Sequence, residues 1–451
     1  MPVDGSTVLE DAHRREWAAV LAATVRVTRD LDLAEECVQD AFEKALLTWG
    51  DAPPANPGAW LTTAARNRAL DLLRREATLR TKLPLLVMDE QDPQGPFPDD
   101  RLRLLFTCCH PAIAPDAQVA LALRLLCGLS TAEVARAFLV SEPTMAARIT
   151  RAKKKIAHAR IPYRVPATED LPGRLDAVLA AIHLLFTTGH SAPVGDQLVR
   201  HDLVGRALDL TQMLRTLLPG PEVLGLEALI VLTDARRATR VDDDGRLLLL
   251  EHQDRARWDG EQIERGRALV KAALTADPGR YALQAAIAAV HAEAPSYEET
   301  DWREIVGLYD LLARRWPSPV VRLNRAVAVG MVAGPQAGLD SLSALSEEPT
   351  LATYSYLAVA RAHFLQELGR SAEARAAYEE ALLLTENTVE RRFLSERLSD
   401  LEAADEGYGN ERGDPDHRPE RGVPVGGAEE AAAEAHGPSD EQRTEDDPQA
   451  T

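Results

Sequence analysis

Cysteine, aromatic side chains and long apolar runs are all scarce in this sequence, and each scarcity removes a class of protein. Four cysteines (Cys37, Cys108, Cys109 and Cys127) in 451 residues are too few for the disulfide framework that staples secreted domains. Aromatics make up 5% of the chain, which argues against sheet architectures rich in aromatic and β-branched residues. No apolar run reaches the roughly 18 residues that a membrane helix needs. The first stretch, "MPVDGSTVLEDAHRREW", has no apolar signal core. A cytoplasmic protein without a membrane association is the expectation. Phosphate-binding loops, nucleophile elbows and metal-ligand spacings are also missing. The triplet Cys108-Cys109-His110 lacks the gap that lets two thiolates converge on one zinc. Histidines and acids in "FTTGHSAPVGDQLVRHD" and "EHQDRARWD" have no catalytic motif beside them. No catalytic residue, metal or cofactor is therefore expected.

What the chain has in abundance is Ala, Leu and charge, a composition that fits helices. A prior of about 100–200 residues per domain suggests two to four domains. The formal net charge of −20 conceals a segregation. Residues 401–451 carry 15 Asp and Glu against 4 Arg, a local −11. Residues 128–164 carry 8 Lys and Arg against 2 Glu, a local +6, and residues 66–82 carry 6 against 2, a local +4. Acidity elsewhere cannot cancel these basic regions, because exposed charges are screened beyond about 8–10 Å at physiological salt.

Composition divides the chain into helical sections at 8–82, 99–164 and 174–401. Residues 83–98, with four prolines, read as a linker, and 402–451 as a disordered acidic tail. Within 174–401, helices should break at "GHSAPVGD", "LPGPEV", "TADPGR" and "RWPSPV". Residues 238–255, containing "DDDG", suit either a short hairpin or a long loop. The fold class expected is all-α.

Two helix starts follow one another at 130–156. Ser130 and Glu133 form a capping-box pattern, and Val134, Ala135 and Phe138 form an inner face. Ser141 is a second N-cap, followed by Glu142 and Pro143, residues tolerated in a first turn. The short gap is helix-turn-helix spacing. In the second helix, Met145, Ile149, Ala152 and Ile156 make one apolar stripe. Thr144, Ala147, Arg151 and Lys154 lie opposite, with Arg148 and Lys155 at the edge. Small residues at the front let such a helix approach a major groove, and its cations suit phosphates and guanine edges. Upstream, 57–76 is a helix with Trp60, Ala64, Asn67 and Asp71 along one side and Arg66, Arg74 and Arg75 as a cationic flank. The helix in 30–51 turns Leu33, Cys37, Val38, Ala41, Phe42 and Ala45 inward, and presents Glu36, Gln39, Asp40 and Glu43.

In order and spacing, these motifs resemble a sigma-70 family RNA polymerase sigma factor of the extracytoplasmic function (ECF) type. "DLAEECVQDAFEKAL" looks like its polymerase-binding segment. "AWLTTAARNRALDLLRRE" resembles the helix after its −10-reading loop, with Trp60, Arg66, Asn67, Asp71 and Arg74 in register. "GLSTAEVARAFLVSEPTMAARITRAKKKI" resembles its −35-reading helix-turn-helix. Pro143 departs from the small residue usual there, and Ala146 from the basic one. The resemblance implies core RNA polymerase and promoter DNA as partners. It assigns 8–82 to region 2, with core-polymerase contacts at Glu36, Gln39, Asp40 and Glu43. Contacts to −10 DNA fall on Asn56, Trp60, Arg66, Asn67, Arg74 and Arg75, Asn56 and Asn67 being candidates for a base pocket. It assigns 99–164 to region 4, with −35 contacts at Thr144, Ala147, Arg148, Arg151, Lys154 and Lys155. "DDRLRLLFTCCHPAIAP" followed by a long helical section is similar to the ECF subgroup with a fused tetratricopeptide-like domain. In that subgroup the extension is thought to govern activity. "YLAVARAHFLQELGRSAEARAAYEEALLL" (356–384) fits one such repeat, with Ala362, Gly369, Ala374, Tyr378 and Ala381 at its small-or-aromatic positions. Residues 320–345 are a looser copy. A helical array of this kind suits a protein or peptide ligand. The alternative reading is a helix-turn-helix regulator fused to a protein-binding repeat domain and acting without replacing sigma.

Overall fold

A computed structural model describes residues 5–49, 53–76, 87–88, 100–138, 140–167, 169–192, 194–274 and 277–410. Most of the expected linker 83–98 and the expected tail from residue 411 onward lie outside these residues. The architecture is all-α. Extended pairing among the described residues consists of two parallel two-residue ladders and one isolated bridge. Contacts divide the chain into two compact units, residues 1–185 and 186–451.

The first unit opens with α1 (Gly5–Thr28), α2 (Leu31–Thr48) and α3 (Pro57–Glu76), each packed on the other two. Arg29 takes a left-handed φ of 56° between α1 and α2. Asp30 then caps α2 by accepting the Leu33 amide at 2.9 Å. The inward residues expected for α2 are buried, and Leu33 and Cys37 pack with Ala69 of α3.

Four helices follow: α4 (Asp100–Cys108), α5 (Pro115–Leu121), α6 (Thr131–Ala137) and α7 (Glu142–His158). A π-helical turn (Ala122–Leu126) extends α5. The capping box is present, with Ser130 N donating to Glu133 Oε2 at 2.7 Å and Glu133 N to Ser130 Oγ at 3.2 Å. Ser141 caps α7. Arg160, at φ 49°, ends that helix, and Ile161 N reaches back to Ile156 O. A parallel pair joins β1 (Val87–Met88) to β2 (Pro162–Tyr163). Helix α8 (Leu171–His190) closes the unit and runs past its boundary.

The second unit contains β3 (Val194–Gly195), α9 (His201–Leu217), α10 (Pro221–Asp234), α11 (Gly260–Ala273) and α12 (Arg280–Glu293). It continues with α13 (Trp302–Arg315), α14 (Pro319–Ala333), α15 (Pro335–Ser343), α16 (Ser355–Glu367), α17 (Ser371–Leu384), β4 (Glu386–Asn387) and α18 (Thr388–Asn410). All four expected helix breaks coincide with helix ends. The 238–255 stretch resolves as a loop with 3₁₀ turns and a single antiparallel bridge, Val241 to Leu247. Asp242 folds the loop, its Oδ1 accepting the Asp244 and Arg246 amides. Successive helices pack as neighbours, α16 on α17 and α14 on α15 among the most extensive. Ala362, Ala374, Tyr378 and Ala381 are buried between α16, α17 and α18, and Gly369 turns between α16 and α17 at φ 71°. Phe364 presses on Gly330 so closely that a Cβ there would lie 2.3 Å from its ring, so only glycine fits. Helix α18 continues through Asn410, nine residues into the stretch expected to lack structure.

Candidate nucleic-acid interface

Helix α7 separates its two faces sharply. Met145, Ile149, Ala152 and Ile156 are the buried stripe, none more than 6% exposed. At about 25 cal/mol per Å² of apolar area, this stripe fixes how the helix seats on α5 and α6. The seating leaves Thr144, Ala147, Arg151, Lys154 and Lys155 exposed. Arg148 is only half-exposed. It pairs with Asp116 at 3.6 Å and its guanidinium lies over the Phe138 ring, 5.6 Å from the centroid. Arg151 turns its Nε back to the Ala147 carbonyl at 3.3 Å. The outward face thus carries three exposed cations behind small side chains at its front. That arrangement suits groove entry with phosphate and base-edge contacts.

Helix α3 holds the other basic group. Asn56 accepts the Ala59 amide at 2.9 Å and so caps the helix, with Pro57 at its first position. Trp60 is half-buried edge-on against Trp49, ring centroids 5.5 Å apart. Arg66, Asn67 and Arg75 are exposed, and Arg74 is exposed with Asp71 3.6 Å away. These groups line one helix and its capped start, so a backbone tracking α3 would meet them in sequence.

On α2, Glu36, Gln39 and Glu43 are exposed and Asp40 is half-exposed. Arg68 of α3, absent from the sequence-derived site, faces them. Its Nε donates to Asp40 Oδ2 at 2.6 Å, and Glu36 lies 3.9 Å from its Nη2. The hydrogen bond to Asp40 pushes the guanidinium pKa up. Beyond these polar residues, Leu46 and Leu47 are 64% and 78% exposed, an apolar end to the same surface.

A second contact was also missed. Glu35 sits within the apolar stripe of Leu31, Val38 and Phe42, which marks a carboxylate that needs buried partners. It receives Arg124 at 2.8 Å and the Lys153 ammonium, which also reaches Asp32 at 2.6 Å. Lys153 borders the α7 stripe at i+4 from Ile149, a position that buries its stem. Burial alone would lower its pKa, but Glu35 and Asp32 outweigh that and hold it above the ordinary lysine value.

Cys108 and Cys109 are buried, and the Nδ1 of His110 accepts the Ala112 amide at 3.1 Å. Burial pushes the Cys109 thiol up to about 12. Among the described residues, no group of three or more His, Cys, Asp or Glu is placed to hold a metal ion. None of their helices is long and apolar enough to cross a membrane.

Residues 13–78 match the family described as Sigma-70 region 2, and residues 103–156 match Sigma-70, region 4. Residues 174–274 match a family of unknown function, DUF6596. An uncharacterized protein of Rhizobium meliloti (strain 1021) is 43% identical over 397 residues, which cover 85% of this chain and 93% of that protein. No solved structure matches. The region 2 match spans α2 and α3, the region 4 match ends in α7, and the chain belongs to the sigma-70 family of RNA polymerase sigma factors.

Proposed function

We propose that the chain is a sigma factor of ECF type that binds core RNA polymerase, reads both promoter elements and starts transcription in the cytoplasm. The observation that carries the reading is α7, whose exposed cations stand opposite a fully buried stripe. Thr144, Ala147, Arg148, Arg151, Lys154 and Lys155 read the −35 element. Arg148, partly covered beside Phe138, has to exchange the exposed Asp116 for DNA. Asn56, Trp60, Arg66, Asn67, Arg74 and Arg75 engage the −10 element. There the arginines hold separated-strand phosphates, and a pocket near the start of α3 takes an unstacked base. Glu36, Gln39, Asp40 and Glu43 dock on core polymerase. The chain makes and breaks no bond of its own.

Region 2 function is assigned to 8–82 and region 4 function to 99–164, with 83–98 between them. The section 174–401 is a tetratricopeptide-like regulatory domain with a protein or peptide ligand, and 402–451 is an acidic tail. The α14–α15 and α16–α17 pairs support the repeat reading, since each turns on a glycine of positive φ. Co-sedimentation with core polymerase tests the docking, and gel-shift on promoter DNA with and without polymerase tests the reading. Specific duplex binding that polymerase neither joins nor changes would identify a regulator that does not replace sigma. Removal of residues beyond about 165 should change transcription. Identical output from the short and full chains would end the regulatory reading of the extension.

A further inference from the structure

The second unit holds three tryptophans, Trp258, Trp302 and Trp316, and two of them carry an arginine of their own chain. The Arg255 guanidinium lies 4.6 Å from the ring centroid of Trp258, whose indole N–H donates to Thr239 Oγ1 at 2.9 Å. Arg280 lies 5.3 Å from the ring centroid of Trp316 and 4.5 Å from that of Tyr281. Such stacking draws a cation to the negative face of an aromatic ring. Trp302 differs. Among the described residues no cation lies over its ring and no acceptor takes its indole N–H.

Trp302 opens α13 and is half-buried. Its ring meets His291 of α12 at 5.1 Å and Tyr297 at 5.6 Å between centroids, each at 72°. The Tyr297 hydroxyl in turn donates to Met331 Sδ of α14 at 3.7 Å. A cavity of about 410 Å³ lies between the start of α13 and the end of α14, lined by Trp302, Met331, Val332, Glu299, Asp301 and Arg303. Residues 297–304 set four carboxylates, Glu298, Glu299, Asp301 and Glu304, against Arg303, a local −3. All four are exposed. Asp301 Oδ1 accepts the Glu304 amide at 2.9 Å, so Glu299 is the lining carboxylate that can be reversed without uncapping α13. Arg255, the arginine of Trp258, is committed to the His291 and Ala294 carbonyls at 2.6 and 2.7 Å.

We infer that this cavity docks a basic peptide, one arginine side chain of which enters over Trp302 with Glu299 and Asp301 beside its guanidinium. Arginine suits the place better than lysine, because its flat group stacks on an indole and meets a carboxylate with two N–H groups. Every cation stacked on an aromatic ring within this unit is likewise an arginine. Glu299, Asp301, Arg303 and Val332 are exposed, so the mouth is wide. A free small cation would stay largely in water there, whereas pockets for small molecules cover most of their ligand. A peptide brings the side chain on a backbone that rests outside, and its carbonyls supply an acceptor for the Trp302 N–H. The inference rests on the ligand-binding reading of 174–401 only for its regulatory consequence; the site belongs to the second unit itself.

The test is fluorescence anisotropy of a dye-labelled Gly-Arg-Gly-Arg-Gly peptide titrated with the full chain at about 0.15 M salt, where long-range attraction to the acidic chain is screened. The wild type should bind it, and should bind the Gly-Lys-Gly-Lys-Gly peptide more weakly. Trp302→Leu should weaken the arginine peptide by about fivefold or more, and Glu299→Lys by about threefold or more. Circular dichroism with unchanged helix content excludes unfolding; if Trp302→Leu loses helix, the exposed Glu299→Lys decides alone. No binding, equal affinity for the two peptides, or equal affinity of wild type and Glu299→Lys would overturn the site, the last two marking attraction to the acidic chain at large. Free arginine amide that displaces the peptide mole for mole would overturn the peptide as its occupant. None of these failures touches the regulatory reading of the extension, which truncation at about residue 165 tests separately.

Discussion

Helices α3 and α7 are both amphipathic and basic, yet they use their cations differently. On α7, Arg151, Lys154 and Lys155 point away from the stripe that seats the helix, while Lys153 beside the stripe is engaged by α2. On α3, Arg68 is held by α2 carboxylates, and Arg66, Arg74 and Arg75 remain exposed at the helix surface. Each helix commits a cation to packing against α2, Lys153 on α7 and Arg68 on α3, while α7 also sets Arg148 against Asp116 and Phe138; the exposed cations of both helices face outward. Counting charge per helix cannot tell the two kinds apart; position relative to the apolar stripe can.

The sharpest way to break this distinction is at the buried carboxylate. Glu35→Ala leaves Lys153 and Arg124 without their central partner and should cost roughly 3–5 kcal/mol, read as an earlier denaturant midpoint. Glu36→Ala, one residue on and exposed, should change stability by less than about 1 kcal/mol. Equal effects would mean that the two acids do not differ in kind. Next in size is the stripe itself. Ile149→Ala should destabilise by about 2–4 kcal/mol through lost burial and the cavity left behind, checked by thermal or chemical unfolding.

The outward cations should matter to DNA and little to folding. Arg151→Ala with Lys154→Ala should weaken promoter binding by about tenfold or more, with a shallower salt dependence, at an unchanged midpoint. Arg66→Ala with Arg75→Ala should spare upstream duplex binding and reduce strand opening, followed by permanganate reactivity of unpaired thymines. The smallest expected signal is from the thiols. Burial raises Cys37 to about 11 and Cys109 to about 12. The thiolate needed for alkylation is therefore rare at pH 8, and iodoacetamide should label almost nothing until the chain is unfolded.

Much of the fold was legible because local signals agreed. Ser130, Glu133 and Ser141 announce two helix starts, and Met145, Ile149, Ala152 and Ile156 recur at helical spacing; all behave as read. Proline and glycine clusters located the breaks in the second unit. What stayed hidden depends on partners distant in sequence. Arg68 reads as one more exposed cation until α2 is laid beside α3. Lys153 and Glu35 are separated by 118 positions, and no local pattern pairs them. A carboxylate centred in an apolar stripe was the available sign, and it says that a partner exists without saying which. The end of α18 at Asn410 was missed for a different reason: "LEAADEGYGN" has the acidity of the tail that follows, and composition outweighed its helical spacing.

The most direct test of the account is run-off transcription from a native promoter template by core RNA polymerase with and without the full-length chain. A promoter-dependent transcript that requires the chain, and that falls about tenfold or more with Arg151→Ala plus Lys154→Ala, is the predicted result. Core polymerase that yields no chain-dependent transcript from any native promoter would contradict it.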